Sequence, residues 1–161
     1  MGTTIRLVLI TPEIPANTGN IVRLCAATGV PLHLVEPLGF RWDDRVLKRA
    51  GLDYWDKCEI QRHLVFEEIE REHPRNRFLF LSARASRSFF DAPVERGNFL
   101  VLGPESTGLT PDFLSRGDRE QNTFRIPMPG KTRSLNLSTS AGIVVYEALR
   151  RLGALTEESS G

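Results

Sequence analysis

Only two cysteines, two tryptophans, two tyrosines and three lysines occur in the 161 residues. Cys25 and Cys58 form no C-x-x-C pair, and His33, His63 and His73 are scattered along the chain. Neither set has metal-ligand spacing, so no metal is expected. Cys25 falls in an apolar helical pattern and reads as a small core residue, Cys58 as a half-exposed one; a reduced, cytoplasmic protein follows. No apolar run approaches the roughly 18 residues that a spanning helix needs. The start, Met1 to Arg6, lacks the basic and hydrophobic regions of a signal peptide, so neither a membrane nor export is expected. An excess of one charge is also missing. The 21 basic and 20 acidic residues leave a net charge of +1, which excludes a protein held to nucleic acid by bulk charge alone.

What is present is a 40% hydrophobic and 25% charged chain, long enough to bury a real core without disulfide or metal. The expectation is one domain over residues 1–155 and a disordered polar tail over 156–161. Of the 21 basic residues, 18 are arginines, whose planar fork of donors suits phosphate. Their distribution carries more than their number. His73 to Phe90 contains Arg75, Arg77, Arg84 and Arg87 and no acid, and Gln121 to Tyr146 contains Arg125, Lys131 and Arg133 and no acid.

Hydrophobic patterning predicts alternating strands and helices. Ile5–Ile10 reads as a buried strand, followed by a helix capped at Asn17 or Thr18 and stopped at Gly29. Strands are expected at Leu32–Glu36, Cys58–Gln61, Phe78–Ser82, Phe99–Gly103 and Thr123–Ile126, and helices at Asp44–Ala50, Val65–Glu72, Thr110–Ser115 and Asn136–Leu152. The strands are apolar throughout rather than alternating. That pattern belongs to an α/β fold with a mostly parallel sheet and helices on both faces.

In such a sheet ligands sit beyond the carboxyl ends of the strands. Three polar loops fall there: Thr11 to Arg23, Gly103 to Leu109 and Ile126 to Ser138. Common nucleotide motifs fail in them. Gly130-Lys131-Thr132 resembles the end of a phosphate loop, but Arg125 stands where its first glycine belongs, and neither G-x-G-x-x-G nor G-x-S-x-G is present. Gly103 and Gly108 permit close backbone approach or positive φ. Taken singly, Glu105 reads as a solvated acid, Ser134 and Asn136 as helix caps, and Arg23 as a surface arginine.

Taken together and in order, the loops resemble the motifs of the SPOUT superfamily of RNA methyltransferases. Within it they are most similar to the TrmL (YibK-like) subfamily. The resemblance is carried by PEIPANTGNIVRLCAATG, by EPLGFRWDD continuing to RAGLDYW, by LVLGPESTGL, and by RIPM followed by RSLNLS and VVYEA, nearly the whole chain. It implies a deep C-terminal trefoil knot, which sequence rules alone would not choose, and a homodimer with the site near the subunit interface. It implies transfer of a methyl group from S-adenosylmethionine to the ribose 2'-hydroxyl of the wobble nucleotide, cytidine or uridine 34, in the anticodon stem-loop of leucine tRNAs. Cofactor contacts are implied at Leu81, Gly103, Ile126 and Ser134, and catalytic roles at Arg23, Asn17, Glu105 and Asn136, with Tyr146 as a further addition. RNA contacts are expected at Lys48, Arg49, Arg84, Arg87 and Arg133. Arginine holds its proton tightly, so two versions of the Arg23 role stand open: proton acceptor after strong perturbation at the dimer interface, or anchor of the adjacent phosphate. Glu105 is expected to meet either Arg23 or backbone amides of the first motif. Alternative readings are a related enzyme acting on another tRNA position or on ribosomal RNA, and a non-catalytic RNA-binding dimer.

Overall fold

The computed structural model describes residues 4–157, so residues 158–161 of the expected tail lie outside the described residues. The elements run β1 (Ile5–Ile10), α1 (Pro15–Thr28), β2 (Leu32–Val35), α2 (Arg45–Gly51), a 3-10 segment (Leu52–Lys57), β3 (Ile60–His63) and α3 (Glu67–Glu70), then β4 (Phe78–Leu81), β5 (Asn98–Leu102), α4 (Pro111–Ser115), β6 (Thr123–Phe124) and α5 (Leu137–Arg151). They form a six-stranded sheet of order β3-β2-β1-β5-β4-β6. Each neighbouring pair is parallel. The unbroken apolar strands are explained by two cores. Leu7, Leu9, Leu100 and Leu102 pack against α1 and α5 through Ile21, Val22, Val144 and Val145. Val8, Phe99, Val101 and Phe80 face the opposite way, onto Phe66, Ile69 and Leu114. Alternate residues therefore serve opposite faces, and both faces are dry.

Several expected boundaries move. Helix α1 begins at Pro15, not at a cap on Asn17 or Thr18; both residues are buried inside it, and Ile14 occupies the cap position with no side-chain bond. Proline lacks the N–H that a first-turn cap would have to satisfy. The helix expected at Val65–Glu72 is one turn, anchored by Phe66 and Ile69 before Pro74. The third strand is displaced to Ile60–His63, and the last shrinks to Thr123–Phe124 because Arg125 instead bridges Ser88. The stop at Gly29 is as expected, with φ +71°.

A partly buried polar chain, centred on buried His33, crosses the second face. Arg6 donates to Nε2 of His33 over 3.2 Å, so His33 must carry its proton on Nδ1, which lies 2.9 Å from Nε2 of His63. His63 in turn sets Nδ1 3.6 Å from Glu68. Burial, and then the charges of His63, Arg6 and His73, push His33 from 6.5 down to about 4. Below pH 6.5 the unfolded chain takes up this proton before the fold does. Stability is therefore lost as pH falls from about 6.5 to about 4, by at most ~1.4 kcal/mol per pH unit. Thermal melts over that range are expected to slope less steeply in His33→Gln than in the wild type; parallel slopes would contradict this.

Candidate active site

The loops at the carboxyl ends of β1, β4, β5 and β6 converge. They enclose a cavity of about 650 Å³, within the range of small-molecule sites. Leu81, Gly103, Ile126 and Ser134 all line it, as do Asn17, Glu105 and Asn136. Close packing shapes its floor. A Cβ on Gly103 would stand 2.3 Å from the amide nitrogen of Leu109 and 2.4 Å from the carbonyl carbon of Gly108, so any side chain there would push the loop outward. Gly108 supplies the return turn with φ +64°, and its N–H donates to the carbonyl of Pro104 over 2.8 Å.

One hydrogen-bonded line ties three of the loops together. The carboxylate of Glu105 accepts from the backbone N–H of Glu13 at 2.9 Å, from that of Ile14 at 2.6 Å, and from Nδ2 of Asn17 at 3.2 Å. From 91 residues away it thus fastens the backbone that leads into α1 to the loop after β5, at a helix N-terminus where a negative charge is also favoured by the helix dipole. Of the two partners considered for Glu105, the backbone amides are the observed one. The Asn17 side-chain oxygen, Oδ1, accepts from Nδ2 of Asn136 at 3.1 Å. The Asn136 side-chain oxygen then caps α5, accepting from the N–H groups of Ser138 and Thr139 at 2.9 and 3.3 Å. Glu13 closes the loop from the other side, accepting from the N–H and hydroxyl of Ser106 at 2.9 and 2.7 Å. These two bonds hold the Glu13 carboxyl below its ordinary range. Each amide of the line is used on both its donor and acceptor side, which fixes its orientation.

Arg23 is not in this group. It lies six positions after Asn17 on α1, about 120° away around the helix and about 9 Å along it. It is exposed, with its guanidinium 5.2 Å from the centre of the Tyr54 ring. The expected RNA contacts also divide. Arg84 and Arg133 are exposed on the cavity rim, and Arg84 donates to the carbonyl of Leu109 at 3.5 Å. Arg87 stands outside the cavity over the ring of Phe124, bonded to the carbonyl of Gln121. Lys48 and Arg49 lie exposed on α2, and Tyr146 is exposed on α5. Pairing of β4 with β6 makes the two acid-free windows neighbours in space, although Arg75 is neutralised by Asp118 at 2.9 Å.

The wall formed by Ser82 and Ala83, the apolar contacts of Met128 and Leu135, and the Glu13–Ser106 clasp are absent from the motif-based reading of the site. The first had a signal, since it follows a buried strand at its carboxyl end. Nothing local marks Ser106 as a partner of Glu13.

The chain matches the model of the SpoU rRNA methylase family over residues 4–146. It is 45% identical over 150 residues to the tRNA (cytidine(34)-2'-O)-methyltransferase of Escherichia coli K12, covering 92% of this chain and 94% of that protein. A solved structure described as "Structural insights into the 2-OH methylation of C/U34 on tRNA" superimposes with a TM-score of 0.84 at 44% identity, over 92% of this chain and 96% of the other. The AdoMet-bound rRNA methyltransferase from Sinorhizobium meliloti shares the fold at 24% identity and a TM-score of 0.79, over 94% of this chain and 58% of that one. The likeness spans the same loops that enclose the cavity, and the protein belongs to the SpoU rRNA methylase family.

Proposed function

We propose that this protein methylates the ribose 2'-hydroxyl of the wobble nucleotide, cytidine or uridine 34, in tRNA. The observation that carries the reading is the convergence of Asn17, Leu81, Gly103, Glu105, Ile126, Ser134 and Asn136 on one cavity, in a chain 45% identical to an enzyme of that name. Restriction to leucine tRNAs is part of the proposal and follows from the motif resemblance.

The cofactor is S-adenosylmethionine, and the cavity suits it. Leu81, Leu102, Ile126 and Met128 offer apolar walls, while the tight return at Gly103 and Gly108 brings backbone polar groups to the same surface. The side chain of Ser134 adds a hydroxyl at the rim. When bound, the cofactor supplies an activated sulfonium methyl group, so the protein has to bind, orient and handle one proton. Glu105, Asn17 and Asn136 hold the three loops in register. Arg23 either anchors the phosphate beside the target ribose or receives the proton.

Because Arg23 and Asn17 point to different sides of α1, Arg23 is proposed to serve the cavity of a second copy, which supports a homodimer with the site at the subunit interface. A trefoil knot is proposed for the C-terminal third. Its support is that the chain leaves β6 at the sheet edge and returns as α5 to pack on the core beneath β1 and β5. A single domain over residues 1–155 is consistent with the continuous sheet. Among the described residues no helix is long and apolar enough to cross a membrane, and no cluster of three His, Cys, Asp or Glu could hold a metal. A cytoplasmic site of action is proposed from the tRNA substrate.

Incubation with methyl-labelled S-adenosylmethionine and total tRNA, followed by nucleotide mapping, is expected to place the label on the 2'-oxygen of nucleotide 34. Label at another position or in ribosomal RNA would favour the related-enzyme alternative, and absence of cofactor binding in calorimetry the non-catalytic dimer. If Arg84, Arg87, Arg133, Lys48 and Arg49 hold the RNA backbone, log affinity for tRNA falls with log salt by roughly 0.7–0.9 per phosphate contacted. An affinity flat in salt would remove these residues from the interface.

A further inference from the structure

The guanidinium of Arg23 lies 5.2 Å from the centre of the Tyr54 ring, within cation–π range. Tyr54 belongs to no part of the cavity. Its position is nevertheless fixed. On α1, a Cβ at Gly19 would stand 2.4 Å from the Cβ of Ala50 and 2.8 Å from the carbonyl oxygen of Leu47. The bare backbone of Gly19 thus lets α2 lie directly on α1, and α2 runs without a break into the 3-10 segment that carries Tyr54. Tyr54 and its neighbour Trp55 are half-buried against the main core, and Trp55 is wedged edge-on against Trp42, with ring centres 5.2 Å apart at 78°. The ring is therefore held before the arginine meets it.

We propose that Tyr54 is the positioning residue of Arg23, gripping the cation by one face and presenting it outward from α1. An aromatic partner suits this task better than a carboxylate. A carboxylate would consume two of the in-plane N–H donors and neutralise the charge, whereas a ring uses none of them. The five donors of the fork stay available for a phosphate or ribose, and the long side chain loses much of its rotamer freedom before substrate arrives. The inference rests on the assignment of Arg23 to the reaction, and its test separates the two.

Turnover and KM for tRNA, cofactor affinity by calorimetry, and thermal unfolding are compared for wild type, Tyr54→Phe, Tyr54→Leu, Arg23→Ala and the Tyr54→Leu/Arg23→Ala double variant. Tyr54→Phe keeps the ring and is expected to retain turnover within about threefold. Tyr54→Leu is expected to lose roughly 10- to 100-fold in kcat with cofactor affinity kept, the cost of a misplaced catalytic group. In the Arg23→Ala background the same change is expected to cost nothing more. A series of mono-, di- and trifluorinated phenylalanines at position 54 keeps the packing while weakening the ring's negative face, so kcat should fall with each fluorine. This series also serves if Tyr54→Leu fails to fold. Wild-type turnover in Tyr54→Leu, or a flat fluorine series, overturns the proposal while an inactive Arg23→Ala leaves the role of Arg23 intact. Normal turnover in Arg23→Ala would overturn that role itself, and the Tyr54 proposal with it.

Discussion

Arg23→Ala is expected to lower methyl transfer by about 10²–10³-fold or more, the scale on which a charge-stabilising or positioning group acts in a closed site, with affinity for S-adenosylmethionine nearly unchanged. The second half of the expectation comes from the fold. Arg23 lines no part of the cavity of its own chain, and its guanidinium rests on Tyr54. Removing it leaves Leu81, Gly103 and the Glu105–Asn17–Asn136 line untouched. Stability should also change little, since an exposed surface residue contributes within about 0.5 kcal/mol. Calorimetry with the cofactor and single-turnover methylation of tRNA check both parts. Near-normal turnover would remove Arg23 from the chemistry in either version of its role. If Arg23 serves the cavity of a second copy, mixing Arg23→Ala with a variant disabled at Asn136 should restore part of the activity by forming heterodimers with one intact site.

Glu105→Gln is expected to be nearly as damaging but in a different way. The wild-type carboxylate faces three donors, the N–H groups of Glu13 and Ile14 and the amide of Asn17. Glutamine can offer one acceptor oxygen; its NH₂ must then confront a backbone N–H. Losing a charge-assisted bond and leaving a donor unpaired costs about 2–4 kcal/mol, enough to release the start of α1 from the loop after β5. Because both border the cavity, cofactor affinity and turnover should fall together, by roughly 30-fold or more, the equivalent of that energy. This joint loss distinguishes Glu105→Gln from Arg23→Ala. Wild-type rates in Glu105→Gln would reduce the carboxylate to an ornament of the loop.

Much of this was legible in the chain. The apolar runs IRLVLI, FLFL and NFLVL specify strands that need cover on two sides, and the carboxyl-end rule directs attention to the loops that do enclose the cavity. The freedom of Gly103 for close approach and that of Gly108 for positive φ, both expected from glycine, are used in the structure. The expected cap on α1 does not form, for a physical reason. Asn17 and Thr18 have the side chains of local capping residues, but Pro15 starts the helix earlier, and a carboxylate from a distant loop takes the N–H groups of Glu13 and Ile14 just before it. No local pattern can announce a partner 88 positions away. The strand ends at Ile60 and Phe124 shifted for a similar reason, since edge strands are bounded by their neighbours' register as much as by their own residues.

By itself, then, the sequence determines the class of fold, the two-sided core and the loops in which chemistry must lie, because periodicity, turn residues and apolar runs are properties of neighbouring positions. Only the tertiary structure decides that Glu105 holds the backbone leading into α1, that Asn17 and Asn136 share a bond, and that Arg23 faces away from them with its guanidinium over the Tyr54 ring. Those pairings join positions far apart in the chain, and they form only when the sheet sets β1 beside β5 and β6 beyond β4, and Gly19 lets α2 settle on α1.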